Sequence, residues 1–132
     1  MDIADIQPSE RMIEIHHPAD ETQLMGIRVT LISITDPRMK KIKRKIQDAK
    51  LKLDAKGKNF KSEEIEENAN EMLFSAMTGW DWYGKDAMFK GKKPEFNRAS
   101  VFEVLTTVEW FADQLTEAIT DEKSFFTASK TS

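Results

Sequence analysis

Hydrophobic and polar positions alternate in two stretches near the start of the chain. Ile13-Glu14-Ile15 alternates briefly. Ile27-Arg28-Val29-Thr30-Leu31 alternates more clearly, and Ile32 and Ile34 continue it. Successive strand side chains point to opposite faces, so alternating β-branched and polar residues predict strands with one buried face. Between them, Pro18-Ala19-Asp20-Glu21-Thr22 is turn chemistry, longer than a tight two-residue connection. An antiparallel β-hairpin over residues 10–34 follows. Two strands alone are marginal in water, so the ribbon must lie on helices or on a neighbouring subunit. Pairing across a two-fold axis, giving a homodimer or a higher oligomer, is compatible with such a ribbon but not demanded by it.

The period then changes. Asp36 or its neighbour Thr35 can cap a helix, and Pro37 suits its first turn. Met39, Ile42, Ile46, Ala49 and Leu53 recur at helical spacing, and Gly57 ends the stretch. Ser62 reads as the cap of a second helix whose acidic first turn suits the dipole. Its apolar face is Ile65, Ala69, Met72, Leu73 and Ala76, and it stops before Gly79. Residues 36–78 are therefore two helices. Residues 79–96 form a loop in which Gly79, Gly84, Gly91 and Pro94 interleave with Trp80, Trp82, Tyr83, Phe89 and Phe96.

Asn97 caps a last helical segment over 97–120. At about 100° per residue, Val101, Leu105, Val108, Ala112, Leu115 and Ile119 fall near one line. Trp110 lies opposite that line, so either the helix breaks near Thr107 or Trp110 is exposed or meets something else. Thr106-Thr107-Val108 is a poor helix interior, which favours a break. Phe125-Phe126 either folds back or docks on a partner, and the polar tail 127–132 is expected to fray. The predicted class is α+β, mainly helical: one domain over 1–132, with an N-terminal antiparallel β-hairpin followed by three to four helices.

Charge changes this picture more than composition does. The 132 residues carry a net −3, but residues 1–37 are net −5, 38–61 net +9 and 62–132 net −7. Lys40, Lys41, Lys43, Arg44, Lys45, Lys50, Lys52, Lys56, Lys58 and Lys61 surround the stripe of the first helix. As phosphate contacts they would make a nucleic-acid interface with salt-dependent binding. Lys outnumbers Arg, however, and only Phe60 supplies an aromatic within the block, so base readout and strand stacking lack their usual groups. A basic face matched to acidic surfaces, within the domain or on a protein partner, accounts for the block better.

Catalytic signatures are missing: there is no Gly-rich phosphate loop, nucleophile elbow or HExxH. With no cysteine, disulfides, thiolate zinc sites and a Cys nucleophile are excluded. His16 and His17 are strand neighbours on opposite faces, which disfavours chelation of one metal even with Asp20 and Glu21 nearby. Glu63-Glu64-Ile65-Glu66-Glu67 with Glu71 reads as a solvated helix face rather than an acid–base pair. No catalytic residue, metal ligand or cofactor is assigned. The longest apolar runs are only a few residues, far short of the ~20 that cross a bilayer. Met1-Asp2-Ile3-Ala4-Asp5 is acidic and lacks the marks of a secretory leader, so a soluble cytoplasmic protein is expected.

Taken in order, several runs resemble one family. They are Glu14-Ile15-His16-His17-Pro18, Gly26-Ile27-Arg28-Val29-Thr30-Leu31, Thr35-Asp36-Pro37-Arg38-Met39-Lys40 and Glu64-Ile65-Glu66-Glu67-Asn68. Gly79-Trp80-Asp81-Trp82, Phe89-Lys90-Gly91, Pro94-Glu95-Phe96-Asn97 and Trp110-Phe111-Ala112-Asp113-Gln114-Leu115 follow. Over residues 10–126 the chain resembles the tail assembly chaperones of long-tailed bacteriophages and prophages. Order and spacing carry the resemblance; no single run is chemically diagnostic.

The resemblance implies a non-enzymatic protein of the bacterial host cytoplasm. It would bind the tape-measure protein, keep it soluble, and give way as tail-tube protein, a second partner, polymerises. Many members also exist in a form extended by ribosomal frameshifting, which the polar Thr127-Ala128-Ser129-Lys130 would permit. Typical members are mainly helical, so the hairpin is a departure. The alternatives are a tail adaptor or completion protein retained in the particle, and a nucleic-acid-binding phage protein using the basic helix. A holdase needs apolar surface tolerant of many sequences, and Met supplies adaptable contacts. Trp80 and Trp82 either staple the 79–96 loop onto the core as large space-filling rings or leave some of Trp82, Tyr83, Phe89 and Phe96 exposed as interface anchors. Trp82, Tyr83, Met88, Phe89 and Trp110 are the expected contact residues. Lys41, Arg44 and Lys45 of the basic helix form an electrostatic partner face.

Overall fold

Alternation along the N-terminal third produces the expected hairpin. In the computed structural model, which describes residues 2–6, 8–58 and 61–126, β1 (Arg11–His17) pairs antiparallel with β2 (Asp20–Leu31). Phe60 and the tail 127–132 lie outside the described residues. Ile27, Val29 and Leu31 are buried while Arg28 and Thr30 face the other way, as the period of two requires. The connection is tighter than the turn chemistry predicts, for only Pro18 and Ala19 separate the strands. The remaining turn residues belong to β2: Asp20 accepts from the Thr22 N–H and hydroxyl, and the ladder shifts register on either side of His16. Residues 20–24 are exposed, so no hydrophobic alternation announced them as strand.

A third strand, β3 (Met77–Asp81), stands where the sequence predicts a helix end and the start of a loop. It completes a sheet of order β1-β2-β3 and so supplies part of the support that two strands lack. Helix α2 (Ser62–Ala76) feeds it without any intervening loop, and the Ile32 N–H bonds to the Ala76 carbonyl at 2.8 Å. A five-residue strand containing Gly79 has too few positions to show a period.

Asp36 and Pro37 start the first helical stretch as expected. A 3₁₀ turn, Pro37–Met39, leads into α1 (Lys40–Ala55), and the Asp36 carboxylate accepts from the Arg38 N–H at 2.9 Å. Arg38 also grips that carboxylate from Nε and Nη2, both at 3.0 Å. Hydrogen bonding from Arg38 holds the Asp36 carboxyl below the ordinary aspartate range, outweighing the opposing effect of burial. We expect Asp36→Ala to cost about 1–2 kcal/mol in chemical denaturation. A carboxyl lowered on folding stabilises above its unfolded pKa, and that stabilisation is lost as pH falls through the folded one. The gap between wild type and variant should therefore narrow below the ordinary aspartate range.

Three helical expectations need correction. Ser62 is not a cap: Lys61 takes that position with no side-chain hydrogen bond, and Ser62 is already helical. Ile65 is exposed rather than on the buried face of α2, which comprises Asn70, Leu73 and Ala76. The stripe of α1 is real, but among its members only Met39, ahead of the helix, is buried; Ile42, Ile46 and Leu53 are half-buried. α1 packs chiefly along α2 and the 3₁₀ turn before it, which cannot cover a full helix face.

The last segment breaks at Val108, dividing α3 (Arg98–Thr107) from α4 (Glu109–Thr120). Asn97 caps α3 by accepting from the Ser100 N–H at 2.9 Å. The break turns α4 so that Trp110 is half-buried against the core. Ile15, Val29 and Leu31 of the sheet meet Leu73, Val101, Val104, Phe111 and Leu115 of the helices in one cluster. A side chain of this kind contributes about 1.5–3 kcal/mol when fully buried. α4 also reaches the sheet's edge, where the Gln114 amide donates to the His16 carbonyl at 2.8 Å and accepts its N–H at 3.1 Å. Phe125 folds back into the core after the 3₁₀ turn Glu122–Phe125. Among the described residues, no helix is long and apolar enough to cross a membrane.

Candidate binding site

The aromatic segment after β3 is held by backbone contacts rather than by regular structure. Gly84 crosses Gly26 of β2, and its N–H donates to the Gly26 carbonyl at 2.9 Å. Farther along, Phe89 and Lys92 pair around a tight reversal in which Lys90 and Gly91 have positive φ. Lys93 then reaches back, and its ammonium donates to the carbonyls of Trp82, Gly84 and Ala87 at 2.8, 2.5 and 3.1 Å. Nothing local in Lys92-Lys93-Pro94 marks this lysine as the organiser of the loop.

Rings fasten the same segment to the core. Trp80 meets Trp82, Phe96 and Phe111 edge-on at 5.5, 5.7 and 6.3 Å, within the range of favourable aromatic pairs. Its indole N–H donates to the Pro94 carbonyl at 3.2 Å. Trp82 stacks on Phe111 at 6.3 Å and is only 8% exposed, which corrects the expectation that it stands free as a contact residue.

Of the five expected contact residues, four come together. Trp82, Met88, Phe89 and Trp110 line a recess of about 120 Å³, with Met25 and Val108 among the other walls. That volume approaches the apolar cavities of about 150 Å³ that admit a benzene-sized group. Met88 is 50% exposed at this recess, whereas Phe89 and Trp110 are half-buried. The Trp82 Nε1–H is buried with no hydrogen-bond partner. A buried donor left unpaired costs about 1–3 kcal/mol, so an acceptor brought to it would be favoured.

Tyr83 is placed elsewhere. Its hydroxyl donates to Glu14 Oε2 at 2.7 Å while Arg28 Nε donates to Glu14 Oε1 at 2.8 Å, and the Arg28 guanidinium sits 4.5 Å from the Tyr83 ring centre. Burial raises the Glu14 carboxyl pKa, but hydrogen bonds from Tyr83 and Arg28 outweigh it and hold the group below its ordinary value. Glu14 raises the Tyr83 phenol in turn. Tyr83 thus lies on the solvent face of the hairpin, apart from the recess.

Lys41, Arg44 and Lys45 are exposed on α1, and no α1 residue lines the recess. The basic face and the apolar recess are separate surfaces. His16 Nδ1 donates to the His17 carbonyl at 2.9 Å, and His17 Nδ1 accepts from the Ala19 N–H at 3.0 Å. Among the described residues, no three His, Asp or Glu side chains are grouped to hold a metal ion. The chain matches no protein-family model, no curated protein and no solved structure.

Proposed function

We propose that the chain is a non-enzymatic binding protein that holds an apolar side chain of a helical client in the recess between the aromatic loop and α4. The observation that carries this reading is one small recess that brings together Trp82, Met88, Phe89 and Trp110, with Met88 half exposed at it. A client side chain fills the volume. Met88 adapts to different side chains, while the loop itself is held by Lys93 and by the Gly26–Gly84 crossing.

This role agrees with the resemblance to tail assembly chaperones. The client is then the tape-measure protein, with tail-tube protein as a second partner, in the cytoplasm of a bacterial host. The test is co-expression with the tape-measure protein of the same genome, followed by affinity capture and a solubility comparison. We expect co-capture and transfer of the client to the soluble fraction. Met88→Asp should cut capture by about tenfold, the scale of an interface hot spot, with the circular dichroism spectrum unchanged. No capture with an insoluble client would overturn the proposal. Retention of the chain in purified particles would favour the adaptor reading instead.

A further inference from the structure

Among the described residues, the cations of the basic helix form no ion pair within the chain. α1 carries seven cations against two carboxylates, a net of +5. α2, packed alongside it, carries five carboxylates and no cation, a net of −5. Yet among the described residues no cation of α1 forms an ion pair, and of the α2 carboxylates only Glu71 does, with Arg98 of α3. Neighbouring helices of equal and opposite charge leave Lys41, Arg44 and Lys45 of α1 and Glu63, Glu66 and Glu67 of α2 facing solvent.

The two helices also leave apolar surface uncovered. A groove of about 220 Å³ lies between them, lined from α1 by Ile42, Ile46, Ala49 and Lys45 and from α2 by polar residues alone, Glu64 and Glu67 among them. On α2, Ile65 is 57% exposed. A groove with an apolar and basic wall on one helix and an acidic wall on the other can take an amphipathic helix of matching charge.

We propose that this α1–α2 hairpin is a homodimer interface, with α1 of each copy lying along α2 of the other across a two-fold axis. The charge pattern selects this occupant. A two-fold interface uses the same patch twice, so the patch must complement itself. A surface half basic and half acidic in equal measure does so when rotation sets each α1 against the partner's α2. A nucleic acid or a uniformly acidic protein would match α1 but be repelled by α2. This surface is distinct from the recess, so dimerisation and client capture stand or fall separately.

The experiment is light scattering on the purified full chain after size exclusion, at low and at raised salt. We expect twice the monomer mass at low salt and a shift toward monomer as salt screens the rims. Lys41→Glu with Lys45→Glu, and separately Glu64→Lys with Glu67→Lys, should each weaken dimerisation by about tenfold or more. An equimolar mixture of the two double variants should recover the dimer, since opposite charges again meet at both contacts. Zero-length crosslinking of isotopically mixed wild-type chains checks the same geometry without substitution. It should join α1 lysines to α2 glutamates of different copies. A wild-type monomer at low salt, a dimer indifferent to both swaps, swapped variants that fail to recombine, or association only when nucleic acid is added would each overturn the proposal.

Discussion

Gly26→Ala is expected to destabilise the chain by about 3 kcal/mol or more, the sum of two separable costs. Gly26 has φ +75°, where a side chain is strained, and a Cβ built there would stand 2.6 Å from the Gly84 Cα. Both sides of that contact are backbone, so no side chain can swing away. Two other glycines separate the terms. Gly57 has φ +69° but open space around it, so Gly57→Ala should register the conformational cost alone, about 1 kcal/mol. Gly84 lies outside the positive-φ region, yet its Cβ would stand 2.8 Å from the Gly26 Cα, so Gly84→Ala should register the steric cost, about 1–3 kcal/mol. Thermal unfolding should place Gly26→Ala lowest of the three, with a midpoint about 10 °C or more below wild type. If Gly84→Ala proved neutral, the crossing would not constrain the aromatic loop.

Phe125→Ala is expected to cost about 3–5 kcal/mol, against no more than about 0.5 kcal/mol for Phe126→Ala. The two phenylalanines are adjacent and chemically identical, but Phe125 is 0% exposed and Phe126 37%. Hydrogen bonds position the buried one: the Ser9 N–H and hydroxyl both donate to the Phe125 carbonyl, at 2.7 and 2.9 Å. Next to it, Arg11 Nη1 donates to the Ser124 hydroxyl at 2.7 Å. The two ends of the described chain are thereby joined around one ring. Since small domains have only about 5–15 kcal/mol of total stability, Phe125→Ala removes a large part of it. Urea denaturation midpoints of the two variants measure the difference. Similar losses for both would mean that Phe126 also packs against the core.

These residues mark where the sequence is legible and where it is not. The alternation of β2, the Asn97 cap and the break at Thr106-Thr107-Val108 are all local signals, and the structure bears them out. The stripe of α1 was equally legible, but how much of it would be covered depends on which helices reach it, and none covers it fully. β3 was missed because five residues entered directly from a helix show no period of their own. Four of the five expected contact residues, three from the aromatic segment and Trp110 from α4, line one recess. Which ring turns inward was decided by Gly26, Lys93 and Phe111, none of which adjoins Trp82 in the chain. Tyr83 follows Trp82 directly but leaves the recess, because Glu14 and Arg28 of the hairpin engage it.

Gln114 has a consequence for how far the sheet can grow. β1 is an edge strand, and an exposed edge is a template on which a further chain can build. At His16 the backbone donor and acceptor are both occupied by one carboxamide, which presents the same pair of groups as an incoming peptide unit. An approaching strand would have to displace that amide, and with it the contact that anchors α4 to the sheet. Runaway β-polymerisation past His16 on this border is thus opposed by a single side chain acting as a terminator.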